Sequence, residues 1–386
     1  MKPLATRCST VPRSAIRAIV GKSYGMENVI SFGFGQPDFT TPERIIKAGI
    51  KSMENGETFY TPNAGCDYLR AAIADEYVSR GMKYGPENVI ITVGGAEALC
   101  LTMLALVDAG DEVILQDPCF ANYIGMVRAN GGIPVPVACT EENDFMMTAE
   151  DLKAAITPKT KAVLLNYPAN PTGAVATKEN LEEVCKVCVE NDLYVITDEM
   201  YKRLIYTEDK FYSPAEFPDM KERTIIVDGF SKAYAMTGWR VGYACGPEEI
   251  INNMIKMNEN VVSCVNEAAQ RAAYDALTGD QSVVDEMVEK YVRRRDLMVK
   301  MINENMGGKM TARKPKGAFY VFANIKKTGL TSEEFCYRLL EEKHVVTVPG
   351  TGFGDSGEGF VRFSYATSEE NIEEGLKRIQ AFIESL

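Results

Sequence analysis

Short apolar segments alternate with helix-patterned segments through the middle of the chain, and this alternation constrains the fold more than any other feature. Segments that are rich in Val, Ile and Leu along their whole length are typical of a mostly parallel sheet flanked by helices on both faces. The predicted strands are NVIITVG, DEVILQDP, GGIPVPVAC, KAVLLNYP, LYVITDEMY, TIIVDGFSK and RVGYACGP. We therefore predict an α/β fold.

The pattern changes near residue 281, where a long charged helix is followed by a mixed order of strands and helices. A chain of 386 residues is also long for one hydrophobic core. We predict that residues 1–40 form an N-terminal segment that packs with the small domain. Residues 41–280 would form the large, ligand-binding domain, and residues 281–386 a smaller α+β domain.

The composition argues against several classes of function. A net charge of −12 disfavours nucleic acid as a partner. Apolar runs stay shorter than the roughly 18 residues that a membrane span needs, so we expect no contact with a membrane. The N-terminus has no apolar signal segment and the ten cysteines are scattered, which predicts reduced thiols and a cytoplasmic protein.

The chain contains one histidine, His344, and this limits the possible catalytic sites. A Ser-His-Asp or Cys-His mechanism, and most catalytic zinc sites, would have to use it. It lies at a predicted helix-to-strand junction without a nucleophile motif. Cys185 and Cys188 have CxxC spacing, but they lie within a predicted helix and lack a second pair, so we expect them to pack. We predict no metal site.

Polar residues follow several of the predicted strands at the point where each strand ends. In a mostly parallel sheet the carboxyl ends of neighbouring strands meet at one edge, where ligands bind. The polar residues at these ends are Asn166, Asn170, Asp198, Tyr201 and Lys232, and the small residues Gly94, Gly95 and Ala96 open a helix after NVIITV. Such a concentration predicts a binding site at this edge.

Lys232 follows TIIVDGF among small residues, where a lysine is crowded and poorly solvated. Desolvation lowers the pKa of a lysine, and a neutral amine forms Schiff bases with carbonyl groups. Arg240 and the helix that follows TVGGAEAL both suit a phosphate. Asp198 could hold a ring nitrogen in its protonated form. A carbonyl, a phosphate and a protonated ring nitrogen together describe pyridoxal phosphate.

The chain also resembles the class I, aspartate aminotransferase type of the fold-type I pyridoxal-phosphate enzymes. The resemblance extends over almost the whole sequence and depends on the order of eight motifs. These motifs are SFGFGQPDF, YTPNAGCDYLRAAIA, TVGGAEAL, YPANPTG, TDEMY, GFSKAYAMTGWRVGY, PKGAFY and PGTGFGDSGEGFVRFSYATSEENIEEGL. The implied fold is the large pyridoxal-phosphate domain of that type with a smaller α+β domain.

The resemblance implies a role for each residue near the cofactor ring. Lys232 would hold the cofactor covalently and then move the Cα proton of the substrate. Asp198 would pair with the ring nitrogen, and Asn170 and Tyr201 would donate to the 3-oxygen. Phe120 would stack on the ring. Without the resemblance, Tyr201 and Phe120 are also compatible with packing alone.

The resemblance also implies a phosphate site that is formed by Gly95, Ala96, Ser231 and Arg240. Many relatives carry a serine at the position of Gly229, and Ser231 is the candidate to replace that hydroxyl. Some aspartate-specific relatives carry a lysine at the position of Ala96, where it binds the distal carboxylate of the substrate. Because this chain has alanine at that position, the sequence does not identify the amino donor, and acidic, aromatic and diaminopimelate-like donors are all compatible with it.

Two further roles concern the substrate and the partner subunit. Arg362 would bind the α-carboxylate of the substrate, with Asn170 beside it and Gly35 donating from its backbone. Tyr60 would reach the cofactor phosphate of the other subunit, so the resemblance implies a homodimer with shared active sites. Tyr60 alone could equally be a packing residue.

The function that these residues predict is an aminotransferase, which exchanges an amino group between an L-amino acid and a 2-oxo acid by a ping-pong mechanism. Glutamate and 2-oxoglutarate are the expected second pair. The alternative is a C–S β-lyase with the same site, because both reactions begin with removal of the Cα proton. A third possible function is that of a regulatory protein that binds the cofactor without turnover. Such proteins carry a DNA-binding segment ahead of this fold.

Overall fold

The computed structural model describes residues 2–207 and 210–386. The α-helices are α1 (Arg7–Thr10), α2 (Ala15–Lys22), α3 (Glu43–Glu54), α4 (Asp67–Ser79), α5 (Gly95–Leu106), α6 (Asn122–Ala129), α7 (Ala149–Ala155), α8 (Lys178–Glu190), α9 (Glu248–Asn258), α10 (Glu267–Thr278), α11 (Ser282–Asn305), α12 (Ser332–Lys343) and α13 (Glu369–Glu384). The strands are β1 (Ile30–Ser31), β2 (Val89–Thr92), β3 (Glu112–Asp117), β4 (Ile133–Ala138), β5 (Thr160–Asn166), β6 (Tyr194–Asp198), β7 (Thr224–Gly229), β8 (Gly242–Cys245), β9 (Thr311–Ala312), β10 (Tyr320–Asn324), β11 (Val345–Val346), β12 (Val348–Pro349) and β13 (Phe360–Ser364).

A seven-stranded sheet forms the centre of the fold, in the order β2-β8-β7-β6-β5-β3-β4. Five adjacent strands of this sheet run parallel to one another, in the order β7, β6, β5, β3 and β4. β8 is antiparallel to both β7 and β2, because residues 230–241 connect β7 to β8 without a crossover helix. The mostly parallel sheet predicted from the sequence is therefore confirmed.

Helices cover both faces of this sheet, as continuous apolar strands require. On one face, Leu101 of α5 and Met254 of α9 belong to a buried cluster with Val113, Ile196 and Val227 of the strands. A second buried cluster joins α7 and α8 to the same strands from the other side. The strand ends between these layers are consequently held in fixed positions.

The last hundred residues form a four-stranded antiparallel sheet in the order β12-β13-β10-β9, which packs with α11, α12 and α13. The N-terminal strand β1 joins this part of the molecule, since Ile30 and Ser31 pair in parallel with Val345 and Val346. The domain boundaries at residues 40 and 280 stay a prediction, because strand pairing describes contacts and does not identify independently folding units.

His344 ends helix α12 in the left-handed conformation, with φ of 55°. Its Nδ1 lies 2.9 Å from the carbonyl oxygen of Glu27, so it joins the N-terminal segment to α12. Cys185 and Cys188 are buried on α8 and carry free thiols. In the part of the chain that the structure describes, none of the helices is both long and apolar enough to cross a bilayer.

Candidate active site

A cavity of about 350 Å³ lies at the carboxyl edge of the seven-stranded sheet. Of the twelve residues that the sequence predicts for the site, eleven line it: Gly35, Gly95, Ala96, Phe120, Asn170, Asp198, Tyr201, Ser231, Lys232, Arg240 and Arg362. Tyr60 lies elsewhere, in the loop between α3 and α4, and its side chain is 93% exposed. Sequence motifs that are far apart in the chain therefore meet at one place.

Asp198 ends strand β6 and is buried beneath the cavity. Its carboxylate accepts hydrogen bonds from the Tyr123 hydroxyl at 2.7 Å and from the Met200 N–H at 3.1 Å. Burial raises the pKa of Asp198 to about 6, while the Tyr123 hydrogen bond opposes this rise. The group is thus an anion near neutral pH, and it is already oriented by the protein.

Asn166, at the end of the neighbouring strand β5, fixes the segments around Asp198. Its side-chain amide donates to the carbonyl oxygen of Asp198 at 2.9 Å, and its side-chain oxygen accepts from the N–H of Asn170 at 2.9 Å. The Asn166 N–H in turn donates to Gln116 at 2.7 Å. Three adjacent strands, β3, β5 and β6, are therefore joined directly under the site.

Lys232 projects into the cavity from the segment that follows β7. Its Nζ lies 2.5 Å from the carbonyl oxygen of Gly35, and in the described residues no carboxylate lies within 4.0 Å of it. Burial, and then the charge of Arg362, lower the pKa of Lys232 to about 8. Asp198 acts in the opposite direction. A substantial fraction of this amine is therefore neutral and nucleophilic in mildly alkaline solution.

The segment that carries Lys232 is held by hydrogen bonds through Thr41, a residue from the N-terminal part of the chain. The Thr41 hydroxyl donates to the carbonyl oxygen of Ala235 at 2.6 Å, and Trp239 Nε1 donates to the same hydroxyl at 3.1 Å. Ala235 has a positive φ of 52°, a strained conformation for a residue with a side chain. The only tryptophan in the chain thus helps to fix the turn in which the lysine lies.

The amino end of α5 and Arg240 form one corner of the cavity. Gly94 precedes α5 with φ of 78°, and a Cβ there would lie 2.6 Å from the guanidinium of Arg240. Glycine at this position therefore lets the arginine lie across the helix start. Helix N–H groups and a guanidinium together favour a phosphate.

Gly229 ends strand β7, two residues before Ser231. A Cβ at Gly229 would lie 2.9 Å from the Cα of Gly242 on the paired strand β8, so the two strands approach too closely for a side chain without a shift. Ser231 lines the cavity two residues later. Its contribution to a phosphate site stays a prediction.

Arg362 lies on β13 and is only 1% exposed. One guanidinium nitrogen donates to the side-chain oxygen of Asn170 at 3.0 Å and another to the carbonyl oxygen of Gly33 at 2.6 Å, whereas Nε has no partner among the described residues. No carboxylate in residues 2–207 and 210–386 lies within 4.0 Å of it. A buried cation without an internal counter-ion fits an anionic ligand.

Two tyrosines were missed by the sequence predictions. Tyr123 donates to Asp198, and the Tyr320 hydroxyl lies 2.7 Å from the hydroxyl of Tyr201. Tyr320 occurs inside the motif PKGAFY and Tyr123 lies three residues after Phe120, but the sequence around a tyrosine does not reveal its partner. Phe120 is partly buried and packs edge-on against Tyr123, with 5.4 Å between ring centroids.

These groups fit pyridoxal phosphate. Lys232 offers an amine of lowered pKa for its aldehyde, and Asp198 offers a buried carboxylate for its ring nitrogen. Arg240 and the start of α5 offer a site for its phosphate. Arg362 is a buried cation that stays available for a further anionic ligand, such as a carboxylate. The cavity thus provides separate binding groups for the cofactor and for a substrate.

Comparison with known proteins supports the same conclusion. The family profile described as "Aminotransferase class I and II" matches residues 27–379. An aspartate aminotransferase of Pyrococcus abyssi is 43% identical over 98% of this chain and 97% of its own. Aromatic-amino-acid aminotransferase 2 of Thermococcus litoralis is 41% identical over 98% of this chain and 97% of its own.

Solved structures are similar over the full length. The structure of Thermus thermophilus aspartate aminotransferase with maleate superposes with a TM-score of 0.94 at 39% identity, and it covers 100% of both chains. This chain therefore belongs to the class I and II aminotransferase family, and it is a fold-type I aminotransferase that uses pyridoxal phosphate.

Proposed function

We propose that this aminotransferase moves the amino group of an L-amino acid to a 2-oxo acid in two separate half-reactions, with glutamate and 2-oxoglutarate as one substrate pair. The observation that carries the proposal is Arg362, a buried cation in the cavity with no carboxylate partner among the described residues. Amino acids and 2-oxo acids share one feature, a carboxylate next to the reacting carbon. One arginine can therefore bind both substrates in turn.

Arg362 is the proposed binding group for the substrate carboxylate. Asn170 and the Gly33 carbonyl hold its two terminal nitrogens, which orients the planar guanidinium for bidentate contact. The N–H of Gly35 is proposed to donate to the same carboxylate. Binding at this point leaves the substrate Cα near Lys232, since both side chains line one cavity.

Lys232 is the proposed base that removes and returns the Cα proton. Pyridoxal phosphate, when bound, supplies an aldehyde that condenses with amines and a ring that accepts electrons. Asp198 would keep the ring nitrogen protonated, and its burial strengthens that interaction. Asn170 and Tyr201 would hold the 3-oxygen, and Gly95, Ala96, Ser231 and Arg240 the phosphate.

A homodimer is part of the proposal. Tyr60 lies outside the cavity of its own chain and is 93% exposed, which supports a role at the site of a partner subunit. Thus each active site would combine the cavity of one protomer with a tyrosine from the other.

The β-lyase alternative has no support among the relatives described above, which are named as aminotransferases. It would nevertheless use the same proton transfer by Lys232, so an experiment has to separate the two reactions. The amino donor beyond glutamate stays open among acidic, aromatic and diaminopimelate-like substrates.

The test is a half-reaction with the holoenzyme, one amino donor and no 2-oxo acid. Because the amino group stays on the enzyme until an acceptor arrives, we expect about one equivalent of donor to be converted per site. The absorbance of the cofactor should change once and then stop. Addition of 2-oxoglutarate should restore the original spectrum.

Lys232→Ala provides the control, since it should bind the cofactor but fail to convert the donor to its 2-oxo acid on the same timescale. Sustained release of ammonia from the wild-type enzyme without a 2-oxo acid would contradict the proposal and favour the lyase. Conversion that continues without an acceptor would likewise exclude the two-step exchange.

A further inference from the structure

Tyr320 contacts functional groups on two sides of the cavity. Its hydroxyl lies 2.7 Å from the hydroxyl of Tyr201, and both tyrosines are buried. Its ring lies under the guanidinium of Arg362, with 4.5 Å between the ring centroid and Cζ. Tyr201 belongs to the cofactor side of the site and Arg362 to the substrate side.

We propose that Tyr320 is a positioning residue that donates a hydrogen bond to Tyr201, orienting the Tyr201 hydroxyl towards the cofactor, and that holds the Arg362 guanidinium in the plane needed for a carboxylate. This inference rests on the proposed function, because Tyr320 would act through the roles proposed for Tyr201 and Arg362.

The direction of the hydroxyl–hydroxyl hydrogen bond follows from the surroundings of the pair. Each hydroxyl has one proton, so only one of the two donates to the other. Burial raises the pKa of both tyrosines, but Arg362 and the Tyr201 hydroxyl oppose this rise at Tyr320. At Tyr201 the pKa is raised well above its usual value, by burial and then by Tyr320. The geometry allows either hydroxyl to donate, and we assign the donor to Tyr320, because its ring lies against the Arg362 cation, which makes its hydroxyl the more acidic of the two.

As a result, the proton of Tyr201 is left for a ligand in the cavity. The charged groups that face the pair are Arg362 on β13, Asp198 at the end of β6, and Lys232, whose Nζ lies 6.0 Å from the Tyr201 ring centroid. A hydroxyl that accepts one hydrogen bond becomes a better donor, because hydrogen bonds in a chain polarise one another.

Two aromatic rings pack against the arginine. The ring centroids of Tyr320 and Phe353 lie 4.5 Å and 4.8 Å from Cζ of Arg362. Such contacts fix the plane of a guanidinium as well as attracting its charge. Asn170 and Gly33 fix the rotation within that plane through their hydrogen bonds.

Gly35 provides an independent sign that the position of Tyr320 matters. A Cβ at residue 35 would collide with the Tyr320 hydroxyl oxygen. Glycine therefore leaves the space in which Tyr320 reaches Tyr201, and the same Gly35 carbonyl contacts Lys232.

The experiment compares Tyr320→Phe with Tyr320→Leu in the holoenzyme. The first removes the hydroxyl and keeps the ring, whereas the second removes both. Absorbance of the bound cofactor is titrated with pH, and KM is measured for the amino donor. Tyr365→Phe is the matched control, since Tyr365 is also buried and donates at 3.2 Å to the Ala318 carbonyl, away from the cavity.

For Tyr320→Phe we expect the pKa that is read from the absorbance of the bound cofactor to rise by about 0.5 pH unit. Without the Tyr320 hydroxyl, Tyr201 is a weaker hydrogen-bond donor and stabilises the anionic 3-oxygen less. Its KM should stay within about twofold of the wild type. Tyr320→Leu should show the same spectral shift together with a rise in KM of roughly tenfold. Tyr365→Phe should leave both quantities unchanged.

Tyr201→Phe separates the possible failures. If it shifts the cofactor pKa while Tyr320→Phe does not, the inference about Tyr320 is overturned and the proposed role of Tyr201 stands. If neither variant shifts it, both the role of Tyr201 and the inference are wrong. A KM for Tyr320→Leu equal to that of the wild type would overturn the proposed support of Arg362.

Discussion

Lys202, which is buried, and Lys232, which lines the cavity, have opposite electrostatic surroundings, and the difference selects the nucleophile. Lys202 contacts the carboxylates of Glu76 and Asp228, each at 2.9 Å, and these anions outweigh burial and hold its pKa well above the usual value. Lys232 lacks a carboxylate contact among the described residues, so burial lowers its pKa to about 8. Only the second amine is available to react.

Capture of pyridoxal phosphate by the apoenzyme should therefore depend on pH. The neutral amine is the nucleophile, so the rate should rise about tenfold per pH unit below pH 8 and level off above it. Stopped-flow absorbance measures this rate. Reduction with borohydride and peptide mapping should then place the cofactor on Lys232. Attachment at Lys202 or Lys210 would show that the assignment is wrong.

Asp198 depends on Tyr123 for part of its acidity. The 2.7 Å hydrogen bond from the Tyr123 hydroxyl favours the carboxylate against the effect of burial. Removal of that hydroxyl should raise the pKa of Asp198 above its value of about 6. The acid form would then persist into the neutral range.

Tyr123→Phe should move the acid limb of the kcat profile upward by about one pH unit, with recovery at higher pH. Tyr167→Phe is a suitable control, because Tyr167 is buried and its hydroxyl accepts from the Met147 N–H outside the cavity. An unchanged acid limb in Tyr123→Phe would refute the effect of Tyr123 on the pKa of Asp198.

Asp198→Asn should lower kcat by several powers of ten, equivalent to about 4 kcal/mol or more.

At the scale of elements, the Lys202 cluster joins a helix to the strands beneath the site. Glu76 comes from α4, Asp228 from β7 and Tyr243 from β8, and all three contact Lys202. Its side chain is only 5% exposed. The cluster therefore fixes the ends of the strands from which the segment carrying Lys232 emerges.

Lys202→Met should destabilise the protein by about 3–5 kcal/mol, since it leaves the buried Asp228 carboxylate without a cation and Glu76 with Arg203 alone. Differential scanning calorimetry and denaturant titration measure this loss. Lys221→Met is the matched control, because Lys221 pairs with Glu222 at 3.7 Å on the surface and should contribute about 1 kcal/mol or less. Adding Asp228→Asn to Lys202→Met should recover part of the stability, and further destabilisation would argue against the explanation.

At the scale of the whole molecule, two adjoining loops expose large apolar side chains. Phe59 and Tyr60 are 86% and 93% exposed, and Val261 and Val262 are 53% and 41% exposed. The loops are joined by a hydrogen bond of 2.9 Å from the Thr61 hydroxyl to the Val265 carbonyl. An exposed apolar surface of this kind is typical of an interface between proteins, which supports the proposed homodimer.

A mixture of Tyr60→Ala and Lys232→Ala chains tests whether the active sites are shared. Each variant should lose most turnover alone, but a hybrid dimer would contain one site with both native residues. Random exchange of subunits should therefore restore about a quarter of the wild-type activity. Sedimentation or light scattering should show a dimer, and tagged chains verify exchange. Exchange without restored activity would mean that each subunit is self-contained.

Much of the fold and of the candidate site followed from local sequence patterns. Continuous apolar strands can only be buried on both faces, so the mostly parallel sheet was predictable. The carboxyl ends of such strands share one edge, so Asn170, Asp198 and Lys232 were expected together. Arg240 was expected there as a cation suited to a phosphate, motif resemblance added Arg362, and all five residues line the cavity.

Only the tertiary structure decided how these groups interact. Tyr123 and Asp198 are 75 positions apart in sequence, Tyr201 and Tyr320 are 119 apart, and Asn170 and Arg362 are 192 apart. The sequence alone determined which residues stand at strand ends, because hydrophobic periodicity is a local property. Hydrogen bonds and pKa values depend on burial and on partners brought close by folding, so the structure distinguished Lys232 from Lys202 and revealed Tyr320.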